Sequence, residues 1–301
     1  MQGFNTQLMN KQIHKIVKKL GYKISNISKQ EKEVQDLVRG FAVQNDTNNL
    51  VFNSASYLFE IKKHFPELAL EHHKEGVLAS FNGLKFYIES SEEFFILKEV
   101  FIEKDYNLMS NESVVVFDIG MNIGISSLFF GLNKNVVKIY SFEPVTTTYN
   151  QAVYNLKLNP SSSHKTEAFN FGLGGSTRVE KVLYNPQAKG NCGIRLDLSL
   201  VIDKANAEEI EINIKSIGEV LPQLLAKHPE QKKVFKIDCE GAEYEIIEKL
   251  SELNLLVNVD VLLIEWHDKG SKILEDLLVA NNFRVISRYL TSITGMIYAF
   301  K

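Results

Sequence analysis

Apolar residues alternate regularly between two spacings in the second part of the chain. From Val114 onward, short runs of consecutive apolar residues alternate with segments in which apolar residues recur every three or four positions. The runs predict strands and the segments predict helices. Continuously apolar strands are typical of a sheet buried on both faces, so we predict a mostly parallel sheet with helices on both sides. The predicted strands are VVVFDI, VVKIYSFE, EAFNFG, VFKIDC, VDVLLIEW, FRVISRY and MIYAFK.

The last two predicted strands are joined by the short, polar segment TSITG. A parallel crossover needs a dozen or more residues, so these strands should form an antiparallel hairpin at the sheet edge. We therefore expect a doubly wound, Rossmann-like α/β sheet of seven strands that ends in this hairpin, the class I methyltransferase arrangement. Between Ser176 and Leu200 the pattern is irregular and contains Gly190 and Gly193, which indicates a flap near the active site.

The first part of the chain lacks this alternation and is predicted to be mainly helical. Helical spacing covers HKIVKKLGYKI, SASYLFEIKKHF and EEFFILKEVFIEKDY. VLASF and LKFYI flank Asn82-Gly83, a pair favoured by type I′ turns, which predicts a β-hairpin near residues 77–89. We therefore divide the chain into a mainly helical N-terminal region, residues 1–110, and an α/β domain, residues 111–301. The N-terminal region is expected to act as a cap or to join copies in a homo-oligomer, with substrate selection as the alternative.

Net charge, cysteine content and the length of apolar stretches indicate where the protein is expected to be located and which partners it is expected to bind. The formal net charge is -3, so no basic excess indicates a nucleic-acid partner. The two cysteines, Cys192 and Cys239, are too few for a disulfide framework and predict free thiols in a reducing cytoplasm. The N-terminus lacks the apolar core of a secretory signal, and no stretch approaches the roughly 20 apolar residues of a membrane span. We therefore expect a cytoplasmic protein without a membrane span.

A glycine-containing loop follows the first predicted strand and indicates a ligand site. Gly120 lets the chain turn sharply, and Gly124 lets the next helix start close to the sheet. A dinucleotide site would need a glycine where this chain has Asn122. Asp118, at the strand end, suits a ligand with an ammonium and a sulfonium better than a pyrophosphate. These features favour S-adenosylmethionine (SAM) as the cofactor.

The ends of the second and third predicted strands add two further contacts to this site. Glu143 follows the glycines by about 20 residues, the position of an acid that hydrogen-bonds ribose hydroxyls. Asn170 and Phe171 lie where an adenine would be held, although Phe171 could equally be a core or rim residue.

Ionisable side chains follow the fourth and fifth predicted strands. Methyl transfer to a hydroxyl is an in-line displacement that needs orientation of the reactants and a base for the departing proton. We expect His267 to be the base, with Glu240 and Asp238 as the next candidates. We expect no metal, with a divalent ion held by these three residues as the alternative. Glu243 is interpreted as a first-turn helix acid, and Lys236 as a partner for one of the acids. The converging groups are Asp238, Glu240, Glu265, His267 and Asp268.

Five segments together resemble the FkbM-type methyltransferase family: VVVFDIGMNIGISSLFF, YSFEP, NLKLN, KIDCEGAEYEII and LLIEWH. The resemblance implies a class I SAM-dependent enzyme, typically an O-methyltransferase acting on sugars, glycans or polyketide-derived metabolites. It also implies that Asp238 and Glu240 lie beside the reacting hydroxyl. Met121 stands where the family often has alanine. The SAM-binding residues implied by the resemblance are Asp118, Gly120, Asn122, Gly124 and Glu143.

The sequence thus predicts a SAM-dependent O-methyltransferase acting on a sugar, glycan or other small hydroxylated acceptor. A nucleic-acid N-methyltransferase is one alternative, but such enzymes usually carry an N-P-P-Y-like segment where this chain reads DCEG. A SAM-binding interaction module without turnover is another alternative, although the ionisable cluster would then have no purpose.

Overall fold

The computed structural model describes residues 49–108, 110–187 and 207–301, together with residues 32, 36–41, 43 and 189. Contacts between Cα atoms divide the chain into two units, Met1–Ala42 and Val43–Lys301. In the first unit residues 36–40 are helical, and the predicted helix HKIVKKLGYKI lies outside the described residues. The division of the chain at residue 110 stays a prediction.

The segment before the main sheet combines helices with a small antiparallel sheet. The predicted hairpin is present, and Asn82 (φ 51°) and Gly83 (φ 73°) form its turn. The predicted continuous helix over EEFFILKEVFIEKDY instead ends as a π-helical turn, and Lys104 at φ 58° terminates it. The elements are α1 (Leu50–Asn53), α2 (Ala55–His64), β1 (Ala69–His73), β2 (Gly76–Phe81), β3 (Leu84–Ile88), α3 (Ser91–Lys98) and the π-helical turn (Glu99–Glu103).

The later strands form the predicted seven-stranded sheet and a smaller sheet beside it. The later strands are β4 (Val114–Ile119), β5 (Val136–Phe142), β6 (Thr166–Phe169), β7 (Gly172–Gly174), β8 (Arg178–Tyr184), β9 (Glu208–Ser216), β10 (Lys232–Ile237), β11 (Val261–His267), β12 (Arg284–Tyr289) and β13 (Thr294–Phe300). The main sheet has the order β12-β13-β11-β10-β4-β5-β6. All neighbours from β11 to β6 are parallel, and β13 is antiparallel to both β11 and β12. The predicted fold class and the closing hairpin are therefore confirmed.

Helices cover both faces of this sheet, as the alternation predicted. The apolar core between the layers includes Phe117 and Phe235, whose ring centroids lie 4.6 Å apart, and the fully buried Trp266. Among the described residues, no helix is both long enough and apolar enough to cross a membrane. The helices are α4 (Ile125–Gly131), α5 (Thr146–Leu158), α6 (Pro160–Ser163), α7 (Ile217–Leu225), α8 (Glu243–Glu252) and α9 (Lys272–Ala280), with a 3-10 turn at Leu255–Asn258.

The expectation of an irregular segment between Ser176 and Leu200 is wrong for its first part. Residues 178–184 form β8, which pairs antiparallel with β9 in a three-stranded sheet of order β7-β9-β8. The cause is pairing with a distant strand, because β9 supplies its partner from beyond residue 207. Gly190 and Gly193 lie outside the described residues, so the flap stays a prediction.

Two asparagines of α5 cover the outer edge of β3. The backbone N–H of Tyr87 donates to Asn155 Oδ1 (2.7 Å), and Asn155 Nδ2 donates to the carbonyl of Tyr87 (3.4 Å). Asn159 makes the same pair of bonds with the N–H (2.8 Å) and carbonyl (2.6 Å) of Lys85. Residues four apart lie on one helix face and residues two apart lie on one strand edge, so the two amides match the edge in register.

Candidate active site

A cavity of about 1190 Å³ lies at the carboxyl ends of β4, β5, β10 and β11. Ligands of open α/β sheets bind at this edge. Six of the predicted site residues line the cavity: Gly120, Asn122, Glu143, Asp238, Glu240 and His267. Its lining residues do not include four others: Asp118, Gly124, Asn170 and Phe171.

The glycine loop requires the backbone freedom that the sequence indicated. Gly120 has φ 82°, and a Cβ there would lie 1.8 Å from the carbonyl oxygen of Asp238. Gly124 has φ 87° at the start of α4, and Asn122 has φ 49°. The side-chain oxygen of Asn122 is buried and has no hydrogen-bond partner among the described residues. A buried acceptor in a cavity wall is costly unless a partner arrives, so this atom marks a place for a donor from a ligand.

Glu143 braces this loop and also faces the cavity. Its Oε2 accepts the N–H of Asn122 (3.1 Å), and its Oε1 accepts the N–H of Val145 (2.9 Å). Burial raises the pKa of Glu143 to about 7, against the opposing effect of these backbone bonds. A carboxylate offers about four lone-pair positions, so two backbone bonds leave capacity for hydroxyl donors in the cavity.

Asp118 lies behind the loop and holds the residues that support it. It is fully buried, and its Oδ2 accepts the hydroxyls of Ser126 (2.7 Å) and Ser127 (2.5 Å). Its Oδ1 lies 3.6 Å from Lys236 Nζ, which also donates to the carbonyl of Gly120 (2.5 Å). In the structure, the Asp118 carboxylate supports the glycine loop through its contacts with Ser126, Ser127 and Lys236. Direct contact between Asp118 and a cofactor stays a prediction.

Lys236 is the buried cation between the cofactor loop and the catalytic loop. Its Nζ lies 3.3 Å from Asp238 Oδ2, so the expected pairing with an acid is present. Burial alone would lower the pKa of Lys236, but Asp238 and Asp118 raise it above its ordinary value. Burial alone would raise the pKa of Asp238, but Lys236 and His267 hold it below its ordinary value. Asp238 is therefore ionised at neutral pH.

Glu243 orients His267 from beneath. This carboxylate is fully buried at the first turn of α8, and its Oε1 accepts both the backbone N–H of His267 (2.7 Å) and its Nδ1–H (3.2 Å). Its Oε2 accepts the N–H of Gly241 (2.8 Å). The ring is thereby turned so that Nε2 lies 3.6 Å from Glu240 Oε1 and 3.8 Å from Glu265 Oε1. The position of Glu243 in the first turn is confirmed, and its contacts add a task that the pattern did not indicate.

The carboxylates around His267 set its charge. Burial would lower the pKa of His267, but Glu240 and Glu243 raise it to about 11. Burial raises the pKa of Glu240 to about 8 in spite of His267, while burial and Asp238 raise the pKa of Glu265 to about 7. The site therefore combines an imidazolium with two carboxyl groups that titrate near neutral pH.

Tyr106 is a site residue that the sequence did not reveal. It is 6 % exposed and lines the cavity, and its hydroxyl lies 3.1 Å from Asp238 Oδ2 and 3.4 Å from Glu265 Oε2. It follows the π-helical turn, where the pattern predicted only the end of a helix. Glu99 from the same turn also lines the cavity, and burial together with Glu265 raises the pKa of Glu99 to about 9.

Donor atoms of Asp238, Glu240 and His267 lie within 4.8 Å of one another, so this set could hold a divalent ion. Carboxylate and imidazole ligands are compatible with several such ions. Positive charges already lie beside the two acids of this set, because Lys236 Nζ contacts Asp238 and the His267 ring carries a proton. The expectation that no metal takes part stays a prediction.

Asn170 and Phe171 line a second, smaller cavity of about 390 Å³. Asn170 Nδ2 donates to the carbonyl of Glu143 (3.0 Å), and the Phe171 ring lies 4.1 Å below Lys215 Nζ. Their neighbours Gly172 and Leu173 line the large cavity instead. A role for Asn170 and Phe171 in holding an adenine stays a prediction.

Comparison with known proteins settles the family. The family model described as "Methyltransferase FkbM domain" matches residues 118–286, which is more than half of the chain and includes Gly120, Glu143 and His267 of the site. The chain belongs to the FkbM methyltransferase family. The resemblance read from the sequence is thus confirmed, and the chain is a methyltransferase with a Rossmann-like fold.

Two curated relatives of this FkbM family member, and one similar solved structure, carry the name methyltransferase. Methyltransferase sdnD of Sordaria araneosa is 28 % identical over 214 residues, covering 62 % of this chain and 80 % of that protein. Methyltransferase 1 of Beauveria bassiana is 29 % identical over 189 residues, covering 57 % of this chain and 73 % of that protein. Among solved structures, the methyltransferase FkbM from Methylobacillus flagellatus is 12 % identical, with 91 % of this chain and 60 % of that chain covered at a TM-score of 0.44.

Proposed function

We propose that the protein transfers the methyl group of SAM to a hydroxyl group of a small acceptor such as a sugar or glycan, leaving S-adenosylhomocysteine. One observation supports the proposal above all. The glycine loop with Glu143 and the ionisable set around His267 face the same cavity from adjacent strand ends. A cofactor held by the loop would therefore be presented to groups able to handle an acceptor proton.

The residues of the loop suit SAM. Gly120 lets the loop pack directly against the carbonyl of Asp238, and Asn122 Oδ1 offers a buried acceptor without a partner among the described residues. Glu143 can accept hydroxyl donors, as expected for a ribose. Lys236 and Asp118 hold the loop from behind. When bound, SAM supplies an electrophilic methyl group.

Glu240 is the proposed proton acceptor, in place of the first candidate His267. An imidazolium with a pKa of about 11 carries its proton at neutral pH and cannot accept another. Glu240 has a pKa of about 8 and faces the cavity, so its carboxylate is a base of suitable strength. His267 then stabilises the ionised form of Glu240. Asp238 remains an anion, and it can accept hydrogen bonds from hydroxyl groups of the substrate that receives the methyl group. The ionisable groups that act on Glu240 are Asp238, Glu243, Glu265 and His267.

The far wall of the cavity favours a small, polyhydroxylated acceptor over a nucleic acid. It is formed by α3, the π-helical turn and the β12–β13 loop, and it includes Glu99, Glu103, Tyr289 and Thr291. Carboxyl and hydroxyl groups exchange hydrogen bonds with the hydroxyls of such an acceptor. Two cations of the cavity lining, Lys98 and Arg288, already pair with Glu103 and Asp105. The net charge of -3 points in the same direction.

Binding of S-adenosylhomocysteine tests the cofactor. A ligand that binds only the native state raises the melting temperature by mass action, so a shift is expected for the wild type. Glu143→Gln should sharply reduce this shift. Glu167→Gln is the matched control, because Glu167 lies on β6 in a partly exposed pair with Lys138 (2.8 Å). Absence of a shift in the wild type at millimolar ligand would contradict the use of SAM.

Methyl-labelled SAM with a panel of glycosides and polyols tests the acceptor class. Incorporation of label into one of these hydroxylated compounds is the expected result. Incorporation only into RNA or DNA oligonucleotides would favour the nucleic-acid alternative. Binding without incorporation into any compound would favour the interaction module.

A further inference from the structure

We propose that Tyr106 is a positioning residue for methyl transfer, whose hydroxyl holds the carboxylates of Asp238 and Glu265 together beside the acceptor. The inference rests on the proposed function, because it assumes that these carboxylates face the reacting group. Tyr106 precedes residues 118–286, which match the family model, so the family assignment does not itself indicate a role for it.

The hydroxyl of Tyr106 bridges two acids from different strands. It lies 3.1 Å from Asp238 Oδ2, just beyond β10, and 3.4 Å from Glu265 Oε2 on β11. Each of these acids also lies near a cation, with Lys236 Nζ 3.3 Å from Asp238 Oδ2 and His267 Nε2 3.8 Å from Glu265 Oε1. Tyr106 is therefore a neutral hydroxyl placed between two acids, with one proton to share between them.

The ring of Tyr106 is held firmly enough to serve this purpose. It is buried, and Lys236 Nζ lies 5.2 Å from its ring centroid. The preceding residue, Asp105, is also buried and forms an ion pair with Arg288 of β12. Burial raises the pKa of Tyr106 well above its ordinary value, so the hydroxyl keeps the proton that it donates.

Removal of this hydroxyl alone should disturb both carboxylates. Without the donor, Asp238 and Glu265 face each other across a partly dry space, and like charges in such a place repel. The carboxylates would separate, or one would take up a proton. Either response changes the charge and shape of the cavity wall where the acceptor reacts, while the glycine loop keeps its own contacts.

The test compares Tyr106→Phe with the wild type and with Tyr154→Phe in the full chain. Tyr154 also carries a hydrogen-bonded hydroxyl, 2.7 Å from His73 Nε2, but it is not among the residues lining the cavity. Turnover is measured with methyl-labelled SAM and the methyl glycoside that the wild type methylates fastest. Tyr106→Phe should lower kcat by about tenfold or more, because hydrogen bonds to ionised groups are strong. Tyr154→Phe should leave kcat unchanged.

A second readout does not depend on turnover. Sinefungin carries an amine on carbon where SAM has its methyl sulfonium, so its affinity relative to S-adenosylhomocysteine reports on nearby carboxylates. Tyr106→Phe should reduce this preference by about tenfold, with the Kd of S-adenosylhomocysteine and the melting temperature preserved.

The outcomes separate this inference from the proposed function. A kcat or an affinity ratio within about twofold of the wild type in Tyr106→Phe overturns the inference. A parallel loss of S-adenosylhomocysteine affinity and of melting temperature also overturns it, because it indicates a merely structural role. Failure of the wild type to methylate any glycoside counts against the acceptor class alone, and the affinity ratio then decides the role of Tyr106.

Discussion

The contact between Gly120 and the catalytic loop gives a quantitative prediction for Gly120→Ala. The change adds one methyl group at φ 82°, where it would lie 1.8 Å from the Asp238 carbonyl oxygen and 2.9 Å from the carbonyl carbon. Ordinary contact begins at 3.4 Å, so the ends of β4 and β10 would have to separate by 1.6 Å, which is 3.4 minus 1.8. The hydrogen bond from Asp238 N to Ile119 O (3.1 Å) opposes this separation.

Gly83→Ala is the matched control. Gly83 also has a positive φ, 73°, but a Cβ there meets nothing within 4 Å. The left-handed conformation alone costs a non-glycine residue about 1–2 kcal/mol. We expect that loss for Gly83→Ala. Gly120→Ala should lose about 1–3 kcal/mol more, because overpacking of an unyielding backbone adds to the conformational cost.

Urea unfolding of both variants without ligand measures the two free energies of unfolding. Calorimetric titration with S-adenosylhomocysteine then measures the second consequence, because the loop that moves is the proposed cofactor loop. Gly120→Ala should bind poorly and Gly83→Ala should bind like the wild type. The reasoning would be refuted if both variants lost the same free energy of unfolding and both retained the ligand.

Two further predictions concern charge. Lys236→Met should lower the free energy of unfolding by about 3–5 kcal/mol at neutral pH, because it leaves the buried Asp118 and the half-buried Asp238 without their cation. Lys232→Met, whose pair with Asp260 (3.1 Å) lies near the surface, should cost much less because solvent screens such pairs, and similar losses in urea unfolding of the two variants would contradict the buried network. For the reaction, kcat/KM should rise with pH through about 8 and level off above it, because a base acts only when deprotonated and Glu240 has a pKa of about 8. Glu240→Gln should be slow and should lack this rise, and an unchanged pH profile would exclude Glu240 as the base.

Local pattern was sufficient to predict most of the main sheet. The predicted helix TTTYNQAVYNLKL coincides with α5, and the predicted strand VVVFDI coincides with β4. The closing hairpin followed from the length of one connection. These features depend on residues close in sequence, which is why periodicity and spacing reveal them.

Other features depend on contacts between distant segments. The alternating Ile210, Ile212 and Ile214 are a sequence signal for β9, whose partner β8 lies more than 20 residues earlier in the chain. Asp118 lies at a strand end as predicted, but its side chain accepts hydrogen bonds from Ser126 and Ser127 of α4. Position along the chain alone does not tell which way a side chain points. Tyr106 offered no signal, because a tyrosine after a helix is ordinary until Asp238 and Glu265 come within reach. The charge of His267 likewise depends on three carboxylates brought together by folding.

The side-chain amides of Asn155 and Asn159 determine which fragments of this chain should remain free of aggregation. They occupy the N–H and carbonyl groups of Lys85 and Tyr87, which would otherwise form an open strand edge. Open edges recruit strands from other molecules. A fragment that ends near residue 110 would therefore expose the unpaired edge of β3. Expression of the N-terminal region alone should give aggregates. A fragment that retains α5 should not, because α5 covers that edge.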